Sequence, residues 1–132
     1  MRSSVLDSYA LLAYLFRERG HETVVALLEK AAESGRNAFI AAPNWAEVRY
    51  QVQRKTSSAR WDEIRDKLLA LPIEVVAATQ ELAEVAGAIK ADRKMSLADC
   101  FAAALAKAQK AELYTGDPEF KAVEKELKIV WI

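Results

Sequence analysis

Apolar residues follow two rhythms along this chain. Short unbroken runs occur at Val5-Leu6, Ala38-Phe39-Ile40-Ala41-Ala42, residues 73–77, Leu113-Tyr114-Thr115 and residues 129–132. Runs of that length, bounded by turn residues, predict buried strands. Between them the spacing changes to three and four. Leu11, Leu12, Leu15 and Phe16 predict a helix over 8–19, stopped by Gly20. Val24, Leu27, Leu28 and Ala31 predict another over 21–34, with Ser34-Gly35-Arg36-Asn37 as its stop. Residues 44–55 form a third, entered through Pro43, and 58–71 a fourth carrying Trp61, Ile64, Leu68 and Leu71 in step. Leu82, Val85, Ala86 and Ile89 define a helix over 79–94. The stretch 97–110 is alanine-rich and apolar on most sides, the mark of a helix near the centre. A last helix is expected over 118–127.

Strands alternating with helices imply a mostly parallel sheet covered on both faces. Right-handed crossovers then give a three-layer α/β/α domain with a short five-stranded sheet. Such folds carry their sites at the carboxyl ends of strands, near the point where strand order reverses. Asp7 directly follows the first strand, and Asp117 comes two residues after the strand ending at Thr115. These two therefore share one edge of the sheet. Glu47 lies in the first turn of the helix after the second strand, and Asp99 begins the central apolar helix.

Composition narrows the chemistry. The 132 residues suit one domain over 1–132. Lys plus Arg and Asp plus Glu are both 19, for a formal net charge of zero. Any grip on nucleic acid must then rest on more than bulk charge. Cys100 and His21 are each alone, which removes intrachain disulfides, His/Cys zinc sites and most Ser-His-Asp schemes. The apolar start up to Phe16 is too short for a membrane span and, with Asp7 inside it, too polar for a signal peptide. A cytoplasmic protein with no membrane partner is the expectation. Metal chemistry must come from carboxylates.

Each acid also has a capping role on offer. Asn44-x-x-Glu47 and Ser96-x-x-Asp99 fit capping-box spacing, Asp117-Pro118 is an N-cap pair, and Asp7 fits the start of the first helix. Capping and catalysis are compatible, since a helix N-terminus favours an ionised carboxylate. Convergence would shift the balance. Two carboxylates at 4 Å repel by about 4 kcal/mol at an effective dielectric near 20. A pocket of carboxylate oxygens suits Mg²⁺ or Mn²⁺.

The stretch Val5-Leu6-Asp7-Ser8-Tyr9-Ala10-Leu11-Leu12-Ala13 resembles the opening of the PIN-domain family. Trp45-Ala46-Glu47-Val48 resembles its second acidic motif, and Ser96-Leu97-Ala98-Asp99-Cys100-Phe101-Ala102-Ala103-Ala104 its third. Leu113-Tyr114-Thr115-Gly116-Asp117-Pro118-Glu119-Phe120 resembles its fourth. The motifs keep the family order over nearly the whole chain, and the short VapC-type toxins are the subgroup it looks most like. The resemblance implies parallel strands in the order 3-2-1-4-5, with Asp99 brought in by the central helix. It also implies metal-dependent endoribonuclease activity carried by Asp7, Glu47, Asp99 and Asp117, a homodimer, and a small antitoxin protein that blocks the acidic cleft. Two departures stand out: Tyr9 replaces a small polar residue, and Asn44-Trp45 is bulkier than usual. Neither removes an acid.

On this reading Asp7, Asp99 and Asp117 bind the principal Mg²⁺ or Mn²⁺. Glu47 completes the site through water or helps hold a second ion about 3.5–4 Å away. A metal-activated water attacks the phosphodiester of an RNA substrate such as tRNA or another structured RNA. Thr115 is read as bonding a ligand carboxylate, or else as an ordinary strand threonine. Glu119 is an extra acid beside Asp117 or a first-turn helix charge. Arg49, Arg54 and Lys55 on one helix, and Arg93 and Lys94 before the Asp99 motif, are candidate RNA-backbone contacts, with a solvated helix face as the alternative. His21 is read as a helix-start histidine. Cys100 and the three tryptophans, Trp45, Trp61 and Trp131, are read as core, with base stacking or a dimer interface as the tryptophans' other roles. Two further functions compete: an RNA-processing nuclease without an antitoxin, and a non-catalytic RNA- or protein-binding module. A phosphoacceptor receiver domain would need an acidic pair after the first strand and its acceptor after a later one, a spacing this chain lacks.

Overall fold

A computed structural model describes residues 2–132. The elements run β1 (Ser4–Leu6), α1 (Ser8–Phe16), α2 (His21–Ser34), β2 (Ala38–Ala41), α3 (Ala42–Lys55), α4 (Ser58–Leu69), β3 (Ile73–Val76), α5 (Gln80–Asp92), α6 (Leu97–Gln109), β4 (Glu112–Thr115), a 3₁₀ helix (Pro118–Val123) and β5 (Lys128–Trp131). The sheet is wholly parallel, in the order β3-β2-β1-β4-β5. β1 is central, with Val5 in register with Phe39 on one side and Leu113 on the other. Strand order reverses between β1 and β4.

Successive strand residues face opposite sides of a sheet, and the core divides accordingly. Val5 and Ala41 pack with the apolar residues of α5 and α6. Leu6 and Ile40 pack with Leu11, Val24, Val48 and Trp61 from α1 to α4. Residues 99–106 of α6 are all buried, so its alanines let it press against the sheet and α5 together. This is the three-layer α/β/α arrangement the alternation of elements predicts.

Several boundaries move, each for a local reason. α1 ends at Phe16, before the expected 19, because Arg17 turns left-handed (φ 53°) and its N–H bonds the Ala13 carbonyl. Gly20 is therefore the entrance of α2, at φ 94°. α4 stops at Leu69, before the expected 71, since a residue preceding proline avoids helical angles and Pro72 follows Leu71. α3 starts at Ala42, which places Pro43 inside its first turn and makes Ala41 the N-cap. Asn44 is thus no cap, and the expected Asn44-x-x-Glu47 box does not form. The Asn44 amide is buried, and neither of its polar atoms has a hydrogen-bond partner among the described residues. The final helix is a 3₁₀ turn over Pro118–Val123, shorter than the expected 118–127. Of the tryptophans, Trp61 is buried and meets Trp45 edge-on, whereas Trp131 is exposed, against the core reading. No described helix is long and apolar enough to cross a membrane.

Candidate functional site

β1 is only three residues long, so the chain turns into α1 immediately after Leu6 and leaves Asp7 at the strand's exit. Asp7 is fully buried. Its Oδ1 accepts the Ala10 N–H at 2.8 Å, capping α1, and its Oδ2 accepts the Thr115 hydroxyl. Thr115 closes β4, the strand paired with β1. The same Thr115 oxygen accepts the Asp117 N–H at 2.9 Å. One hydroxyl thus ties Asp7 to the loop carrying Asp117 across the point where strand order reverses. Asp117 Oδ1 accepts the Glu119 N–H at 2.9 Å and starts the 3₁₀ turn.

Asp99 arrives from the opposite layer. Ser96 caps α6 by accepting the Asp99 N–H, so the Asp99 carboxylate sits in the first turn of a long buried helix. The Ser96 N–H is taken in turn by Glu119 Oε1 at 2.8 Å. Glu119 is therefore a strut between the β4 loop and the start of α6, beyond a simple first-turn charge. Asp99, Asp117 and Glu119 offer oxygens that lie within 4.8 Å of one another. Glu47 approaches from α3. Its Oε1 accepts the Ser8 hydroxyl at 2.7 Å, and its Oε2 accepts the Gln51 amide at 3.3 Å.

The electrostatics follow from this crowding. Burial pushes the Asp7 carboxyl up to about 7; the bonds from Thr115 and Ala10 oppose the rise, and the charges of Asp117 and Glu47 add to it. Asp99 is pushed up to about 9, by burial first, then by Asp117, Asp7 and Glu119. At neutral pH and without a cation, Asp99 keeps its proton and Asp7 is near its midpoint. A hard divalent cation fits Asp99, Asp117 and Glu119, whose converging donors are all carboxylate oxygens; the predicted ligands Asp7 and Glu47 lie outside that group, Asp7 with both oxygens already accepting hydrogen bonds.

Glu47 and Asp117 open onto a cleft of about 460 Å³ shared with Ser8, Tyr9, Gln51 and the cations Arg19 and Lys55. A larger hollow of about 590 Å³ lies between α1, α2 and α4, away from the acids. The other basic candidates sit elsewhere. Arg49 bonds Gln53 and lies 5.8 Å from the Trp61 ring centre, while Arg54 lies over Tyr50. Lys94 is exposed in the α5–α6 connection. His21 opens α2 with Nδ1 on the Tyr14 carbonyl, and Cys100 is buried.

Sequence reasoning did not assign Gln51 or Arg19 to the site. For Gln51 a signal exists: Glu47, Gln51 and Lys55 are spaced by four along α3, which puts them on one face. Arg19 has none, because its place depends on where α1 ends.

Among curated proteins none matches the chain by sequence. Among solved structures the fold recurs closely. VapBC from Salmonella typhimurium, bound to DNA, has a TM-score of 0.77 at 14% identity, covering 98% of both chains. VapBC2 from Rickettsia felis, bound to a fragment of its promoter, has a TM-score of 0.76 at 18% identity over 96% of each. VapC20 of Mycobacterium tuberculosis, a toxin that cleaves the sarcin-ricin loop, has a TM-score of 0.73 at 18% identity, covering 92% of this chain and 95% of its own. At such identities the likeness is one of fold. The sequence model of the PIN domain matches residues 4–126, a span that takes in β1 through β4 and every carboxylate of the acidic edge, and the chain therefore belongs to the PIN-domain family.

Proposed function

We propose that this protein is a metal-dependent endoribonuclease, the toxin of a toxin–antitoxin pair of the VapC type, working as a homodimer. The observation that carries the reading is the convergence of the Asp99, Asp117 and Glu119 carboxylates beside the buried Asp7, with Asp7 and Asp99 both pushed up by burial and by the charge of Asp117. A fold gains nothing from that repulsion unless a cation offsets it. Asp7, Asp99 and Asp117 would hold Mg²⁺ or Mn²⁺, with Glu119, whose oxygen lies with those of Asp99 and Asp117, as a further ligand and Glu47 at the margin. A divalent ion in such a site neutralises phosphate charge and acidifies a coordinated water.

The chain's own groups do the positioning. Thr115 aims Asp7, Ser8 and Gln51 aim Glu47, and Glu119 fixes the start of the helix bearing Asp99. Arg19 and Lys55 meet the RNA backbone in the cleft. His21 and Cys100 present no nucleophile there, one bonded to a backbone carbonyl and the other buried. The structurally similar VapBC proteins favour an antitoxin as partner.

Calorimetric titration with Mn²⁺ tests the ion site. Binding is expected with release of protons, since carboxylates must ionise to ligate. Both binding and proton release are expected to disappear in Asp99→Asn. Undiminished binding by a folded Asp99→Asn protein would overturn the assignment.

A further inference from the structure

The cleft beside the carboxylates has an aromatic wall that the acid chemistry does not use. Tyr9, the second residue of α1, is 38% exposed and lines the cleft with Glu47 and Asp117. Its ring is held in place. Gly116 stands between Thr115 and Asp117, and a methyl group built on it would fall 2.2 Å from Tyr9 Cε1 and 2.5 Å from Cζ. The Tyr9 ring thus occupies the space a side chain at 116 would fill, and rests on the backbone next to Asp117. An aromatic supported on one side and open on another loses little freedom on stacking. Arg19 and Lys55 share the cleft, and the Lys55 ammonium is itself parked 4.3 Å from the Phe16 ring centre. The chain's net charge is zero, so two local cations are a small electrostatic grip.

We propose that Tyr9 is a base-stacking residue that receives an unpaired base of the substrate. An unpaired nucleotide beside the scissile phosphate lays its base on Tyr9 while its backbone meets Arg19 and Lys55. In a duplex both faces of a base are already covered by its neighbours, whereas splayed single strands stack readily on aromatic side chains. Stacking tolerates any base, so Tyr9 selects strandedness more than sequence. This inference rests on the nuclease reading.

The test uses the full chain carrying Asp99→Asn, so that binding is read without cleavage. The probe is a fluorescent 12-nucleotide oligouridylate, alone or annealed to oligoadenylate. Tyr9→Leu is expected to weaken binding of the single strand by about 5- to 150-fold, the value of one base–aromatic stack. Tyr9→Phe is expected to rescue it, and weak binding of the duplex is expected to be indifferent to both changes. Equal affinities for single strand and duplex, or no loss in Tyr9→Leu, would overturn the stacking role. So would a Tyr9→Phe protein as weak as Tyr9→Leu. Cleavage of an RNA pool by protein with Asp99 intact separates the two claims: cleavage whose rate and fragments ignore Tyr9→Leu sinks the stacking alone, and a protein that neither binds nor cleaves RNA sinks the nuclease reading with it.

Discussion

Thr115 is the residue on which the acidic edge turns. Its hydroxyl donates to Asp7 and accepts the N–H of Asp117. Thr115→Val keeps the shape and the β-branch but removes both bonds. Metal affinity or cleavage is expected to fall about 10- to 100-fold, the usual cost of losing a group that orients a ligand; Thr115→Ser restores most of it. Titration with Mn²⁺ beside cleavage rates checks this. The raised acids predict a pH effect with a definite sign. In the unfolded chain Asp7 and Asp99 lose their protons near the ordinary 3.8, whereas the folded protein keeps them to about 7 and about 9. Over that window the native state binds more protons, so metal-free stability falls as pH rises through it. A divalent cation replaces those protons. The Tm gain on adding Mn²⁺ is therefore expected to be larger at pH 8.5 than at pH 5.5, and equal gains would contradict the account. Asp7 and Asp117 were readable from sequence because strand exits in a parallel sheet are fixed by topology. The strut made by Glu119 was not, because it joins two loops whose meeting no local pattern encodes.

Helix ends decide what lines the cleft. α1 stops at Phe16 through a left-handed Arg17, and the short return through residues 18–20 leaves Arg19 in the cleft. The spacing of Leu11, Leu12, Leu15 and Phe16 located this helix but not its end, since Arg17 has no composition cue for a positive φ. Gly20 carried a turn signal, and its role proves to be entry into α2. There it adopts φ 94°, and a Cβ would lie 2.8 Å from Ile132. Gly20→Ala is expected to cost about 1–3 kcal/mol through backbone strain alone, measurable as a lower midpoint in urea. A neutral result would mean that this turn can relax. α3 shows the opposite case. Its capping-box spacing was misleading because Pro43 fits the first turn and draws the helix start back to Ala42. Glu47 then sits one turn deeper, where Ser8 and Gln51 reach it.

At the scale of the whole molecule, the order β3-β2-β1-β4-β5 makes the site. It sets β1 beside β4, so Asp7 and Asp117 leave adjacent strands. It also lays the fully buried stretch of α6 across one face of the sheet, bringing Asp99 to the same edge. The parallel sheet and its two covered faces were legible in the alternation of apolar rhythms, as was the burial of α6 in its alanines. The 3₁₀ turn after Asp117 and the exposure of Trp131 were not, because both depend on how the last strand packs at the sheet's edge. The central claim is that this edge binds a divalent ion in order to cut RNA. Its most direct test is incubation of a mixed structured-RNA pool with purified protein in Mg²⁺, Mn²⁺ or EDTA, beside Asp99→Asn. Discrete fragments that require metal and vanish in the variant are expected; fragments that persist in EDTA, or that Asp99→Asn produces as fast as the unaltered protein, would overturn the metal-dependent nuclease.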